Sequence, residues 1–444
     1  MRNPILLLIA VCLAIFTPAL AKAADTTGDC HIGAYRLTDG GAVVIDPSLG
    51  DALRWRRFDG TSGALHPGSD GVWTSTLGWT DRADGKTVSF SDCAAGGIIF
   101  DHQAGHRIAF DTTDTLFDSD GLKLAGRLVL PKGDGPVPIA VLIHGSEKYS
   151  GRDFYTLQRM LPAEGVGVFV YDKRGSGGSS GQYTQDFSLL ADDAVAALWE
   201  ARRLAGARAG RVGFQGGSQG GYVAPLAASR TSADFVIVGF GLAVSPIEED
   251  QQEIVLEMKL KGHSPAETAQ ALEVADAAAT ILTSDFTKGF DRFDALRAKY
   301  RGAGWYKDLH GNFTVDFLPY SQAELRAKAS EFLVGTPMNY DSMPVLRRLK
   351  TPQLWELGVD DLAAPSAETS RRLKALGDQG YPITVAMFPH AQHGVYEYET
   401  KPNGERVNTR NAEGYLAMMR DFARDGRLHG PYGASVVTKP KDVR

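Results

Sequence analysis

The period of the apolar positions divides the chain. Between residues 25 and about 112, short alternating runs such as "GAYRLTDGGAVVIDPS" and "GVWTSTLGWTDRADGKTVSFSDC" are broken by Asp-Gly pairs at Asp39-Gly40, Asp59-Gly60 and Asp84-Gly85. Alternation interrupted by such pairs marks consecutive hairpins, so this stretch is predicted to be a small antiparallel β domain. From about residue 113 the pattern changes. "DTLFDSDGLKLAGRLVLP" reads as a hairpin turning at Asp120-Gly121. Continuous apolar runs follow at 139–145, 166–172, 211–217, 235–241, 352–358 and 383–389. Unbroken runs suit strands covered on both faces, as in a parallel sheet. Helical stretches follow most of them, at 153–161, 189–203, 221–229 and 411–424. Alternating strand and helix predicts an α/β sheet with right-handed crossovers.

Residues 245 to about 345 interrupt this alternation with helical patterns alone. One opens with Ser264, Pro265 and Glu267, which combine an N-cap, a first-turn proline and a capping box. Lying between two sheet strands, the insert is predicted to form a helical cap over the sheet's carboxyl edge.

Composition adds limits. At 444 residues, 43% hydrophobic and 23% charged, the chain is of ordinary globular type. A formal charge of −6 and the lack of a basic run give no reason to expect nucleic acid as a partner. The start, "MRNPILLLIAVCLAIFTPALAKAADTT", has Arg2, an apolar run from Ile5 to Phe16, and the small-residue site Ala21-Lys22-Ala23. This is the pattern of a signal peptide over residues 1–23, and the apolar run is too short to span a bilayer. The expected product is exported, periplasmic or secreted, with no stable membrane insertion. Residues 24–112 are assigned to the β domain and 113–444 to the α/β part. In an oxidising compartment the remaining pair, Cys30 and Cys93, is expected to form a disulfide joining the ends of the β domain.

The pattern G-x-S-x-G occurs twice, around Ser179 and around Ser218. Their settings differ. Ser218 directly follows an apolar strand and precedes a helix, at the edge where open α/β sheets bind ligands. Gly216 and Gly220 let strand and helix pass closely, and the helix N-terminus adds partial positive charge. Ser179 follows "YDKRG" with no helix starting at once, which makes it structural. His102 and His106 stand four apart, but Gly105 and the strand pattern argue against a metal pair. No G-x-x-x-x-G-K-[ST] is present, so nucleotide chemistry finds no support.

Five pieces in order resemble the α/β-hydrolase superfamily: His144-Gly145-Ser146, "YDKRGSGGSSG", "GGSQGG", "GVDDLAAP" and "FPHAQHG". The resemblance covers about residues 113–426 and is strongest to bacterial serine esterases with a helical cap. It implies an α/β-hydrolase sheet with a helical cap insertion, preceded here by the small antiparallel β domain. It also implies a nucleophile, acid and base in the order Ser, Asp, His. The loop ending in His-Gly points to His393 over His390. The spacing from Gly358 to Pro365 points to Asp361 over Asp360. Backbone N–H groups of Gln219 and Ser146 are the implied oxyanion donors.

The expected reaction is hydrolysis of a small-molecule carboxylic ester by Ser218, His393 and Asp361, with no metal and no cofactor. A peptidase of the prolyl-oligopeptidase kind, an acyltransferase or a thioesterase would use the same residues. No sevenfold propeller repeat precedes the hydrolase part, and export argues against coenzyme A thioesters. Cap aromatics Trp305, Tyr306, Phe313, Phe317 and Tyr320 are candidates either for an acyl pocket or for the cap's own core.

Overall fold

The computed structural model describes residues 29–48 and 53–441. The signal-peptide reading falls outside them. Eight strands come first: β1 (Gly33–Leu37), β2 (Ala42–Pro47), β3 (Leu53–Arg57), β4 (Ser62–Pro67), β5 (Trp73–Leu77), β6 (Ala83–Phe90), β7 (Gly97–Phe100) and β8 (Gln103–Arg107). They close into an antiparallel barrel, with β1 pairing both β2 and β8. Tyr35, Trp55, Trp73 and Phe100 fill it.

Asp39-Gly40 and Asp59-Gly60 make tight turns, with glycine φ values of +84° and +95°, a region open to glycine without steric cost. Asp84-Gly85 does not turn the chain. It lies inside β6, where the register with β5 shifts between Thr74 and Thr76. The reversal comes earlier, closed by the Leu77 N–H donating to the Arg82 carbonyl at 2.8 Å. The cause is a long-range contact: the Trp79 N–H donates to the Asn408 carbonyl at 2.9 Å, and a Cβ on Gly78 would lie 2.3 Å from the Thr409 carbonyl oxygen. Only a bare glycine backbone can approach that closely.

Cys30 and Cys93 form a disulfide. It ties the segment before β1 to the β6–β7 connection rather than to the barrel's far end. Closing a separation of 63 residues contributes about 4 kcal/mol in the loop-entropy account.

Strand β2 is buried on both faces. Val43 and Ile45 face the barrel core, whereas Ala42 and Val44 pack with Met160, Leu161 and Val166 of the following unit. Asp46, 1% exposed, joins the two units. It accepts from Arg56 at 2.9 Å, from the Thr156 hydroxyl at 3.0 Å and from Arg159 at 2.9 Å. A buried carboxylate needs such a full set of donors.

The second sheet contains β9 (Phe110–Ser119), β10 (Leu122–Pro131), β11 (Val137–Ile143), β12 (Gly167–Tyr171), β13 (Ala209–Gly217), β14 (Val236–Gly239), β15 (Gln353–Gly358) and β16 (Ile383–Phe388). Three further strands, β17 (Ala391–Gln392), β18 (Tyr396–Thr400) and β19 (Arg406–Asn411), form a small separate sheet. The terminal strand β20 (Val436–Thr438) returns to the large sheet, whose order is β20-β16-β15-β14-β13-β11-β12-β10-β9. The run from β12 through β11 and β13 to β16 is parallel. Helices Leu157–Ala163, Phe187–Ala205, Gly220–Ala228, Ser366–Asp378 and Tyr415–Asp425 flank it, which explains why its strands are apolar throughout.

The insert between β14 and β15 is helical, with longest members Pro246–Leu260, Pro265–Thr283 and Phe290–Tyr300. Capping boxes open helices at Ser245, Ser264 and Ser321. Trp305 and Phe317 are buried in the insert's own core.

Strand β15 carries a buried acid. Glu356 is fully buried and neither carboxylate oxygen has a hydrogen-bond partner. Burial pushes its pKa well above the ordinary value of 4.5. The native state therefore holds this proton to higher pH than the unfolded chain. Its contribution is fully present below pH 4.5 and is lost as pH rises toward the native pKa, at up to about 1.4 kcal/mol per pH unit. Glu356→Gln is expected to gain stability over the wild type as pH rises from 5 to 8. Urea midpoints across that range check this; parallel curves would refute it.

Candidate active site

Ser218 stands on the bend between β13 and the helix Gly220–Ala228, with φ of +52°. A non-glycine residue in that region is strained. The bend survives because its neighbours lack side chains: a Cβ on Gly216 would meet the Gly220 carbonyl oxygen at 2.2 Å, and one on Gly220 would meet that of Ile143 at 2.3 Å. The Ser218 N–H donates to the Gly239 carbonyl at 3.1 Å, fixing the bend to β14.

His393 follows β17 by one residue, and its Nε2 lies 3.2 Å from Ser218 Oγ. On the other side of the ring, Nδ1 lies 3.0 and 3.3 Å from the two Asp361 carboxylate oxygens. Asp361 is 1% exposed and accepts from the Ala364 N–H at 2.8 Å. Phe240 meets the imidazole edge-on at 4.9 Å. The three side chains thus form one hydrogen-bonded line across loops separated by up to 175 positions.

The rivals lie elsewhere. The side chain of His390 is 92% exposed and comes within 3.9 Å of Asp360. Asp360 itself accepts from the Tyr398 hydroxyl at 3.0 Å. It is therefore neither a helix cap nor a bare surface group, and it fastens β18 to the loop after β15. Ser179 Oγ donates to the Asp172 carbonyl at 2.6 Å and accepts from the Ala125 N–H at 2.9 Å.

Gln219 precedes the first residue of the helix Gly220–Ala228, and Ser146 lies in the loop after β11; both border the cavity at Ser218. Two side chains hold the carbonyls of that loop. Lys173 Nζ donates to the Gly145 carbonyl, and the Tyr183 hydroxyl donates to the Ser146 carbonyl. Lys173 is 2% exposed, and burial brings its pKa down to about 8. Tyr183 accepts from Gln185 at 2.8 Å, and Gln185 accepts from the Thr336 hydroxyl at 2.9 Å. A hydrogen-bonded chain therefore runs from the helical insert to the Ser146 loop. No pattern in the sequence marks Tyr183, Gln185 or Thr336, and Thr336 reaches the other two only in space.

Phe313 is the one sequence-predicted cap aromatic that borders this cavity. Glu249 and Glu331 border it as well, unmarked by any motif. Burial, then the neighbouring carboxylates Glu253, Asp361 and Asp250, push the Glu249 pKa well up. Among the described residues no helix is long and apolar enough to cross a membrane.

The family model described as serine aminopeptidase, S33 matches residues 135–287. No curated protein matches. Solved structures with similar folds include an esterase of Pyrococcus furiosus, 15% identical over 64% of this chain and 84% of its own, with a TM-score of 0.39. An acylaminoacyl peptidase of Pyrococcus horikoshii is 15% identical over 77% of this chain and 50% of its own, with a TM-score of 0.40. The present chain thus spans half of that peptidase's length. Est1E of Butyrivibrio proteoclasticus, solved with ferulic acid bound, is 16% identical over 70% of this chain and 97% of its own, with a TM-score of 0.38. The matched segment is that of a serine hydrolase family, and it carries the bend at Ser218. The chain has an α/β-hydrolase fold, and its residues 135–287 match that family model.

Proposed function

We propose that this protein hydrolyses carboxylic esters through an acyl-enzyme on Ser218. The observation that carries the reading is the contact of Ser218 Oγ with His393 Nε2 at 3.2 Å, backed by Asp361 at 3.0 Å. Serine is a poor nucleophile until a base accepts its proton. His393 takes that proton as Oγ attacks the ester carbonyl. Asp361 keeps the imidazole in the required tautomer and stabilises its charged form. The N–H groups of Gln219 and Ser146 receive the developing oxyanion, an interaction worth about 2.7–4 kcal/mol per donor in comparable sites. His393 returns the proton to the leaving alcohol. Water, activated by the same histidine, then attacks the acyl carbon and releases the acid and Ser218.

Lys173 and Tyr183 act as positioning residues: by holding the carbonyls of Gly145 and Ser146 they fix the direction of the loop's amide. The Cys30–Cys93 disulfide supports work in an oxidising compartment outside the cytoplasm. The family match leaves a peptidase as the second reading.

The test is a panel of p-nitrophenyl esters against peptide p-nitroanilides, with a fluorophosphonate probe and intact-mass analysis. Faster turnover of esters and one adduct at Ser218 are expected. Faster turnover of the anilides would move the assignment to a peptidase. An unlabelled Ser218 together with an unreactive panel would overturn both.

A further inference from the structure

Two cavities meet at Ser218. Both are bordered by Ser218, Phe240, Ala363 and His393, and they extend in different directions. One, about 410 Å³, lies under the helical insert and is bordered by Glu249, Asn312, Glu331 and Phe332. The other, about 580 Å³, lies toward the barrel, between the loop after β11 and the β17–β19 sheet. Its walls include Tyr149, Phe154, Tyr155, Leu157, Met160 and Tyr396, and Arg56 of the barrel also borders it.

We propose that the barrel-side cavity is a second substrate compartment that receives an aromatic ring, so that the scissile ester lies at the junction of two differently lined chambers. This deepens the ester-hydrolase reading and rests on Ser218 as nucleophile.

Three observations carry it. The cavity is continuous with Ser218 and His393, so a group lodged there is still attached to the reacting carbonyl. Tyr149, Phe154, Tyr155 and Tyr396 stand in its walls beside the polar Glu147, Gln392, Asn408 and Asn411, and rings gain from offset or edge-on contact beyond the burial of area. Two of those walls are uncovered: Tyr149 is 40% exposed and Phe154 48% exposed, and they already touch edge-on at 5.5 Å. Large apolar groups gathered in the open beside a reactive serine are the usual mark of a surface that something covers. The insert-side cavity is lined differently: Gln185, Asn312, Thr336 and the carboxylates of Glu249 and Glu331 alternate there with apolar side chains such as Leu282 and Met338. Arg56 is held by Asp46 at 2.9 Å, so the barrel contributes a fixed boundary to the aromatic chamber.

The experiment compares kcat/KM for ethyl acetate, methyl 3-phenylpropanoate, 2-phenylethyl acetate and methyl 3-cyclohexylpropanoate in the wild type, Phe154→Ala and Tyr149→Ala. One of the phenyl esters is expected to exceed both the cyclohexyl and the acetate controls. Each variant is expected to lose about threefold to tenfold on that ester, mainly through KM, while ethyl acetate changes by less than about twofold. Equal losses on all four esters, or no preference for a ring in the wild type, would overturn the compartment. If Ser218 still takes the fluorophosphonate in that case, the ester-hydrolase reading stands alone. An enzyme that cleaves none of the four and takes no label loses both.

Discussion

A Ser218→Ala variant is expected to fold as the wild type does and to lose at least about 10⁴-fold in kcat on the best ester. The oxygen that forms the acyl-enzyme is gone, so no covalent intermediate can accumulate. Whatever remains is the action of the oxyanion donors on a water attack. The stability change is expected to be small, because alanine at φ of +52° bears a strain like that of serine. Pre-steady-state kinetics on an ester whose deacylation is the slower step check the chemistry: the wild type is expected to give a burst of alcohol release and the variant none. A variant that keeps its burst would place the nucleophile elsewhere.

The second large effect separates two adjacent carboxylates. Asp361→Asn is expected to lower kcat by about 10⁴-fold. The amide can still accept from the Ala364 N–H through its oxygen, but it turns an N–H toward His393 Nδ1. That favours the tautomer with its proton on Nε2, where Ser218 needs an acceptor. Asp360→Asn is expected to stay within a few fold of wild type. Its partner is the Tyr398 hydroxyl at 3.0 Å, and an amide oxygen accepts that bond as well. Measuring both variants on one ester, with melting temperatures as control, decides the matter. Equal losses, or the larger loss at Asp360, would move the acid.

Much of this arrangement was legible in the sequence because it is local. Six apolar runs announced β11 to β16, and glycines on both sides of Ser218 announced the bend that holds it. Near His393 and Asp361, two neighbouring candidates each had to be separated by resemblance, since spacing alone is blind to which side chain turns inward. What went unread depends on distant partners. Asp84-Gly85 has the composition of a turn, yet the chain reverses at Gly78 because Asn408 and Thr409 draw it in. The β17–β19 sheet begins at the His393 loop and has too many polar residues to announce itself as core. Glu356 reads as an ordinary charge until its strand is placed in the middle of the sheet. The two chambers belong to no single stretch of chain at all.

That small sheet has a wider consequence. Residue 393 lies just before its second strand, and the sheet is clamped to the barrel at several points. Tyr396 stacks edge-on with Trp79 at 4.7 Å, Glu399 pairs with Arg82 at 2.8 Å, and the Asn411 N–H donates to the Gly60 carbonyl at 2.9 Å. The barrel is in this sense a buttress for the imidazole. A shorter protein starting at β9 would keep Ser218, Asp361 and His393 but lose the contacts that hold the loop bearing the imidazole, so on the reading proposed above the barrel strands between Gly33 and Arg107 help to align His393.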